Sequence, residues 1–551
     1  MKKRVLFPLL AGVSLFLFSF SDTFFDISRS FETYSAVLKN ISQYYVEDTD
    51  PGNLTRMYLE GMLKTLDPFT NYFSGAQIER ARIQQEGKFG GIGIQFALRD
   101  KYPFITEIEK NQPADKAGLK TGDVIYKIDG SDVLDKNMDE INQALVGQPG
   151  SAISLSIWRK ENDKTPASLE FQLKREEIQE TNVPFFGMVE PEIGCIRLKI
   201  FNPDAGKDVR NAFDSLKRAN PELKGIILDL RGNPGGLLQE AVRIVNIWVE
   251  EGVTVVTTKG KMPEWNKVFR TTEKAADTRI PIVALVNAQS ASASEIVSAS
   301  LQDLDRGVVL GQKSYGKGLV QITRNLPYNT MLKVTCAKYY TYSGRCVQAL
   351  NYAEKNPDGS IRRVPDSLRA VFVTKGGRKV LDGGGVDPDV AVAAQKNSPL
   401  RKAIEAKFII ADFASRYIHQ HPLVENPAVF QLSDEDYEAF VQFVRSQNLE
   451  VPTETGQWLK KLEESAEDEM YLESLRPSIE SVKRKINRDI GNMLQEERSV
   501  LQPLVENEIV GRQYYAYGKI LKGYQNDTEI KEAVRLLRNT ERYNQLLSAK
   551  K

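Results

Sequence analysis

Short apolar strands alternate with helical segments across residues 177–395 of this 551-residue chain, and this alternation limits the available folds more than any other feature. The strand candidates are the apolar runs Gly225–Leu230, Ile282–Val286 and Val308–Leu310. Helical patterns at Leu237–Val249 and Glu295–Leu304 separate them. Strand, helix and strand in succession favour right-handed crossovers within one sheet. We therefore predict an α/β core with a largely parallel sheet over residues 177–395.

The sequence changes character on both sides of this core. Apolar residues at helical spacing, broken at Leu66-Asp67-Pro68, predict a small helical domain at residues 22–84. Short alternating runs with Gly and Asp turns predict a compact β-rich domain at residues 85–176. Only 5 of the 38 glycines follow residue 400, so we predict a charged, mostly helical domain at residues 396–551. The predicted fold class is multidomain α/β.

A serine-rich turn follows the second strand of the core. The string Gln289-Ser-Ala-Ser-Ala-Ser-Glu295 lies between an apolar strand and a helical segment. Such a turn directs backbone N–H groups and the positive end of a helix toward one spot. The same string is also compatible with Ser292 or Ser294 acting only as the N-cap of that helix.

A lysine between two glycines, Gly316-Lys317-Gly318, follows 25 residues after Ser292. The chain has only two histidines, His419 and His421, so a Ser-His-Asp or Cys-His pair in the core is excluded. Lysine can accept a serine proton only if its pKa falls from about 10.4 toward about 7–8, which burial achieves. The flanking glycines let the backbone approach a neighbouring element, although an exposed turn would explain them equally.

The string Asp229-Leu-Arg-Gly-Asn-Pro-Gly-Gly236 ends the first strand of the core with a glycine loop. Backbone amides in such a loop are free to point toward a reacting oxygen and stabilise its negative charge. An ordinary left-handed turn that leads into a helix has the same composition. The loop is therefore a candidate oxyanion hole.

Together these strings closely resemble the C-terminal processing peptidases, also called tail-specific proteases, over about residues 30–395. The matching strings are Gly225–Gly236, Ser290–Ile296, Gly316–Gly318 with Gln321, and Gly384–Asp389. The resemblance implies a Ser-Lys endopeptidase with an embedded PDZ domain and with no metal or organic cofactor. It assigns the α/β core as the peptidase domain.

The same resemblance implies a role for each motif residue. Ser292 matches the nucleophile, Lys317 the general base, and Gln321 the residue that orients the lysine. Glu295, one helical turn after the serine, matches a supporting acidic position. The implied oxyanion donors are the backbone N–H groups of Ala293 and of either Gly235 or Gly236.

The β-rich domain fits the same family. Residues Phe89, Gly90, Gly91, Ile92 and Gly93 resemble the carboxylate-binding loop of a PDZ domain. Successive amides of such a loop bind a C-terminal carboxylate, while the peptide adds as a strand to the sheet edge. The resemblance therefore implies that protein substrates are recognised by their exposed C-termini.

The N-terminus carries an export signature. Met-Lys-Lys-Arg is followed by a mostly apolar run of 16 residues, Val5–Phe20. Small residues at Ser19 and Ser21 favour a signal peptide, residues 1–21, over a retained anchor. We predict an exported protein of the periplasm or cell envelope.

The composition limits the class of protein and the partners that it can bind. Apolar residues at 41% and charged residues at 27% exclude a disordered chain and a polytopic membrane protein. A net charge of +1 gives no global field that would attract nucleic acid. The resemblance implies a homodimer through the N-terminal helices, and the charged C-terminal domain is a candidate adaptor-docking site.

The three cysteines lack metal-site spacing and are compatible with one disulfide, Cys336 to Cys346.

Three other interpretations concern the same residues. Ser314-Tyr-Gly-Lys317 and Lys120-Thr-Gly122 match motifs of penicillin-binding proteins, but their order and the glycines around the lysine argue against that family. A secreted PDZ scaffold, with an inactive or partner-activated peptidase core, stays open as an alternative. A signalling protease that cleaves one partner stays open as well.

Overall fold

The computed structural model describes residues 6–75, 77–78, 82, 87–160, 166–355, 361–395, 397–421, 424–486 and 489–549. These residues form two units, which are described separately. The first unit contains the chain up to Gly75 together with Gln321–Thr335. The second contains Ala76–Val320 and the chain from Cys336 onward.

Two helices dominate the first unit, as the spacing of apolar residues predicts. They are α1 (Leu6–Tyr44) and α2 (Pro51–Lys64). The Asp50 side chain accepts the first free N–H groups of α2 and so fixes where this helix begins. Tyr34 stacks on Tyr58 with ring centroids 4.6 Å apart, which joins the two helices. Within the described part of the chain, no helix has an apolar stretch long enough to cross a bilayer. Residues 1–5 of the predicted signal peptide lie outside that part.

The first unit also contains a strand that sequence spacing does not indicate. β1 (Asn71–Ser74) follows the turn at Asp67, whose carboxylate accepts the N–H groups of Phe69 and Thr70, each at 2.8 Å. β1 pairs antiparallel with residues 330–333, which are far away along the chain. A four-residue strand with so distant a partner leaves no local signature, so the sequence pattern predicts the helices of this region but not the strand.

The β-rich domain of the second unit is confirmed. Its antiparallel sheet has the order β3 (Ile94–Arg99), β4 (Tyr102–Ile108), β5 (Val124–Ile128), β7 (Ala152–Arg159) and β8 (Ala167–Lys174), and the short β6 (Ser131–Asp132) pairs with β5. Two helices accompany the sheet, α3 (Pro113–Ala117) and α4 (Met138–Leu145). The strands β2 (Lys88–Gly91) and β9 (Glu176–Gln179), at the start and the end of the domain's sequence, pair antiparallel with each other. Alternate residues of β7 are buried, as expected for a sheet with one face in a core.

The predicted parallel sheet is also present. Its strand order is β10 (Phe185–Glu190), β11 (Ile193–Arg197), β12 (Gly225–Asp229), β15 (Ile282–Val286), β16 (Val308–Gly311) and β23 (Val390–Ala391). All neighbours pair in parallel except β10 and β11. Three helices pack on one face, α5 (Ala205–Ala219), α6 (Leu238–Trp248) and α7 (Ala293–Asp303).

The other strands between residues 250 and 385 belong to separate, smaller sheets. They are β13 (Thr254–Gly260), β14 (Lys267–Arg270), β17 (Leu319–Leu326), β18 (Thr330–Thr341), β19 (Leu350–Lys355), β20 (Ile361–Arg363), β21 (Val371–Val373) and β22 (Lys379–Leu381). The end of β18, residues 337–341, pairs antiparallel with β13. None of the three cysteines forms a disulfide, so Cys336 and Cys346 are not bonded to each other.

The C-terminal region is helical, as predicted. Its helices are α8 (Pro399–Ala406), α9 (Ile409–Gln420), α10 (Asp434–Ser446), α11 (Glu454–Asp468), α12 (Leu472–Ile486), α13 (Ile490–Glu496), α14 (Arg498–Asn526), α15 (Thr528–Arg538) and α16 (Thr540–Leu547). Residues between Leu400 and Val510 form a core of their own. The end of α14 and the last two helices pack instead on the second face of the parallel sheet, where Leu537 contacts the strand residue Gly225.

We predict that Leu537→Ala destabilises the parallel sheet, because the substitution leaves a cavity between α15 and β12. The expected loss in the free energy of unfolding is about 2–4 kcal/mol. Urea unfolding followed by tryptophan fluorescence measures it. Leu462→Ala, at a side chain that is 48% exposed, is the matched control and should change stability by less than about 0.5 kcal/mol. Equal effects of the two substitutions would contradict this packing.

Candidate active site

Three loops that carry the motif residues meet at one end of the parallel sheet. The glycine loop follows β12, the serine turn follows β15, and the Lys317 segment follows β16. These three strands are adjacent and parallel, with β15 in the middle. Their carboxyl ends therefore lie on the same edge, where ligand sites of α/β sheets form.

Ser292 occupies the turn between β15 and α7 in an unusual backbone conformation. Its φ of 55° and ψ of −112° lie outside the regions that residues other than glycine normally adopt. The Glu295 side chain accepts the Ser292 N–H at 2.8 Å. A strained residue that its surroundings hold in place is frequent at functional sites.

The glycine loop is hydrogen-bonded to the serine turn along its length. The carbonyl oxygen of Asn233 accepts the Ala291 N–H and the Ser294 hydroxyl, each at 3.0 Å. Gly235 has a φ of +100°, and a Cβ there would lie 2.8 Å from Ser292 Cβ. Only glycine allows the loop to approach the serine this closely.

Two backbone N–H groups near Ser292 have no acceptor among the described residues. Ala293 is the first residue of α7, so its N–H has no partner within the helix. The other is the N–H of Gly236. The Gly235 carbonyl and the Leu237 N–H both bond to the backbone of Phe201, whereas the Gly236 N–H does not. The Gly235 N–H differs, because it donates to Asn233 Oδ1 at 2.8 Å.

Lys317 is half-buried, and its two glycine neighbours contact the segment that follows β18. A Cβ on Gly316 would lie 2.4 Å from Ala349 Cβ, and one on Gly318 would lie 2.9 Å from the Gln348 backbone nitrogen. The Gly318 N–H donates to the Gln348 side chain at 2.7 Å. The glycines thus have the close-approach role that their positions suggest.

Glu295 links the serine turn to the lysine segment. Its carboxylate is fully buried, and Oε2 accepts the N–H groups of both Ser292 and Lys317 at 2.8 Å. Oε1 accepts the Gly316 N–H at 2.7 Å and the Ser314 hydroxyl at 2.6 Å. Burial raises the pKa of Glu295 above that of an ordinary glutamate, and these donated hydrogen bonds oppose the rise.

Tyr339, in β18, is a second link that the sequence reasoning missed. Its hydroxyl lies 2.7 Å from the carbonyl oxygen of Lys317 and 3.1 Å from that of Ser292. The side chain is 1% exposed, and burial raises the pKa of its hydroxyl well above that of an ordinary tyrosine. No local pattern distinguishes this tyrosine from its neighbour Tyr340.

An ionic cluster at the base of the glycine loop is also absent from the sequence prediction. Arg231 bonds to Asp229 at 2.8 Å, to Asp527 at 2.7 Å and to Glu529. The Tyr524 hydroxyl donates to Asp229 at 2.7 Å. Burial alone would raise the pKa of Asp229, but the charge of Arg231 holds it well below its usual range. The C-terminal helices therefore supply partners for the loop.

Gln321 belongs to the first unit. It lies in β17, four residues after Lys317, and its side-chain amide donates to the Thr335 hydroxyl at 3.2 Å.

The five predicted PDZ residues follow one another into the edge strand β3. Phe89, Gly90 and Gly91 lie in β2, and Ile92 and Gly93 form the turn. Gly93 has a φ of +76°. Among the described residues, neither the Ile92 nor the Gly93 N–H has an acceptor, although both residues are buried. The free edge of β3 lies directly after them.

Three family models match the chain. They are Peptidase family S41 at residues 192–359, a PDZ domain at residues 90–168, and the probable PDZ-protease C-terminal helical domain at residues 400–537. Among solved structures, a photosystem II D1 C-terminal processing protease is 22% identical, with a TM-score of 0.36 over 65% of this chain and 92% of that one. The PDZ domain of a carboxy-terminal protease from Vibrio cholerae, in complex with peptide, is 26% identical over 17% of this chain and 98% of that one, with a TM-score of 0.16.

Two curated relatives extend the similarity. A probable CtpA-like serine protease of Staphylococcus aureus is 33% identical over 313 residues, which cover 56% of this chain and 61% of the relative, less than two thirds of its length. A carboxy-terminal-processing protease of Bartonella bacilliformis is 33% identical over 348 residues, 62% of this chain. Because that alignment spans 78% of the Bartonella protein, the chain belongs to the carboxy-terminal-processing protease family.

Proposed function

We propose that this protease is a serine endopeptidase in which Ser292 and Lys317 form a Ser-Lys dyad. The observation that carries the proposal is the hydrogen bonding of both residues' N–H groups to one oxygen of Glu295. This arrangement joins a candidate nucleophile to a candidate base in a chain with no histidine before residue 419. The substrates are proteins cut near or at their C-terminal tails.

The chemistry follows from the groups around Ser292. The neutral amine of Lys317 accepts the Ser292 hydroxyl proton while the oxygen attacks the peptide carbonyl. The N–H groups of Ala293 and Gly236 stabilise the resulting oxyanion, since both lack another acceptor in the described structure. Lys317 then returns the proton to the leaving amine, and water releases the acyl group. Gln321 is proposed to orient the lysine.

The PDZ domain is proposed to bind the free C-terminus of the substrate. The unpaired N–H groups of Ile92 and Gly93 suit a carboxylate, because anions bind well at successive backbone amides. The free edge of β3 then offers main-chain hydrogen bonds to the last residues of the tail.

Ser292→Ala and Lys317→Ala are expected to lower kcat for an unfolded reporter with an apolar C-terminus by at least about a thousandfold. The reason is that each removes one of the two groups that activate the attacking oxygen. Ser446→Ala and Lys531→Ala, in exposed parts of the C-terminal helices, are matched controls and should keep the wild-type rate. Binding of the reporter without any cleavage by the wild-type protein would favour the PDZ scaffold or a missing activating partner.

Gly93→Ala is expected to weaken binding of a tail peptide by at least about tenfold, a loss of about 1.4 kcal/mol. A Cβ at Gly93 would lie 2.4 Å from Gln112 Cβ and must displace the loop. Gly130→Ala is the control, since Gly130 has the same φ of +76° but no atom within 4 Å of its Cβ position. Fluorescence polarisation of a labelled peptide measures both variants, and an amidated peptide should bind neither protein. Equal affinities for free and amidated tails would contradict the PDZ role.

The N-terminal helices are proposed to form a homodimer. Phe24, Ile27 and Phe31 of α1 are 75%, 62% and 70% exposed and lie at helical spacing on one face, and a contiguous exposed apolar stripe of this kind favours association. We expect the mass measured by light scattering to rise with concentration toward twice that of the chain, and Phe31→Asp to keep the protein monomeric. A mass independent of concentration would count against the dimer.

Export to the periplasm or cell envelope is proposed from the basic and apolar residues at the N-terminus. Sequencing the N-terminus of protein from that compartment tests it.

The charged C-terminal domain is proposed to dock an adaptor or to shape the substrate entrance. Comparing the proteins that co-purify with the full chain and with a variant lacking α11 and α12 tests the adaptor.

A further inference from the structure

We infer that Tyr339 is a positioning residue that fixes the peptide plane whose N–H stabilises the oxyanion. This inference rests on the proposed function of Ser292. It assigns the tyrosine a role in the rate of the chemical step, beyond its contribution to packing.

The hydroxyl of Tyr339 is hydrogen-bonded to both catalytic segments. Its backbone N–H donates to the carbonyl of Gly318 at 3.0 Å, which fixes β18 beside the lysine segment. Its ring is buried in the core under the parallel sheet. The hydroxyl is therefore held between the carbonyl oxygens of Lys317 and Ser292, at 2.7 and 3.1 Å.

The carbonyl of Ser292 belongs to the same peptide group as the N–H of Ala293. A hydrogen bond to that carbonyl fixes the orientation of the peptide plane, and so the direction of the N–H. It also polarises the group, which makes the N–H a stronger donor. Tyr339 thereby acts on the oxyanion donor from the opposite side of the peptide.

The same hydroxyl also explains how Ser292 keeps its strained backbone. Residues with such φ and ψ values persist only when the surroundings hold them in place. The peptide group before Ser292 is held by Glu295, and the one after it by Tyr339. Lys317 is held in the same way, with its N–H on Glu295 and its carbonyl on Tyr339. One carboxylate oxygen and one hydroxyl thus join the two catalytic backbones on both sides.

The hydroxyl is suited to this role because it stays protonated. Burial raises the pKa of Tyr339 well above its ordinary value, and the nearby negative charge of Glu295 raises it further. The tyrosine hydroxyl is therefore protonated, and able to donate, at neutral pH. Its single O–H proton is shared between the two carbonyl oxygens, with the shorter distance to that of Lys317.

The test compares Tyr339→Phe, which removes only the hydroxyl, with the wild-type full-length protein on the tail reporter. We expect kcat to fall by about ten- to hundredfold, because an oxyanion donor is misdirected. KM should stay within about twofold, since the donor acts only in the transition state. Affinity for a peptide boronic acid, whose adduct with Ser292 is tetrahedral, should fall by the same factor as kcat.

Two matched controls separate positioning from stability. Tyr543→Phe removes another buried hydroxyl, which bonds to the backbone of Ile282 at 2.8 and 3.0 Å, away from the proposed site. It should lower the unfolding temperature and leave kcat unchanged. Tyr340→Phe, at the neighbouring half-buried tyrosine, should change neither.

The inference is overturned if Tyr339→Phe keeps kcat within about twofold of wild type, or if Tyr543→Phe loses kcat equally. It is also overturned if KM rises in proportion to the loss of kcat. If Tyr339→Phe does not fold, 3-fluorotyrosine at position 339 replaces it. That variant retains the hydroxyl, which fluorine makes a stronger donor, so kcat should be retained. A tenfold loss of kcat with an unchanged unfolding temperature would also contradict the inference.

Failure of the proposed function has a different signature. If Ser292→Ala cleaves the reporter as fast as wild type, then both the dyad and the role of Tyr339 are wrong. If Ser292→Ala is inactive while Tyr339→Phe is fully active, only the role of Tyr339 is wrong.

Discussion

The buried carboxylate of Glu295 is the interaction on which the rest of the site depends. An ionised group without water requires several hydrogen bonds to offset its desolvation, and Glu295 receives four. The donors come from the serine turn and from the segment around Lys317, which follow different strands of the sheet. Loss of any donor would leave buried charge under-solvated, so the two segments are fixed relative to each other. The geometry of the candidate dyad follows from that requirement.

A second buried network connects this site to the end of the chain. Glu529, at the start of α15, bonds to Arg231 just after β12 and to Gln312 just after β16. It therefore holds together the strand ends from which the glycine loop and the lysine segment depart. Since Asp527 also binds Arg231, the C-terminal helices contribute charge to the peptidase core as well as apolar cover. A domain boundary near residue 395 stays a prediction, and these contacts cross it.

The PDZ domain contacts the C-terminal region through polar side chains and through the ring pair Phe104 and Phe408, whose centroids are 5.0 Å apart. Arg99 forms a two-pronged ion pair with Asp412 at 2.7 and 2.6 Å, and the Tyr515 hydroxyl donates to Asp115 at 2.7 Å. Tyr515 interrupts α14 with non-helical dihedral angles. A cavity of about 470 Å³ lies between the two domains. Polar, incompletely packed interfaces between domains are weaker than apolar ones of equal size.

The sequence by itself determined the elements and the chemistry of their ends. The runs Gly225–Leu230 and Ile282–Val286 predicted β12 and β15, and helical periodicity predicted α6 and α7. The absence of histidine before residue 419 made Lys317 the candidate base. These signals are local, because each depends on neighbours along the chain. The PDZ loop was recognisable for the same reason.

Only the tertiary structure decided which distant groups complete the site. Tyr339 lies 47 residues from Ser292, and Glu529 lies 298 residues from Arg231. Neither position has a pattern that marks it, because a single buried polar residue gains its role from partners that the fold brings to it. β1 was missed for the same reason. Burial in a low-dielectric core decides which polar side chains must pair, and burial is a property of the folded chain.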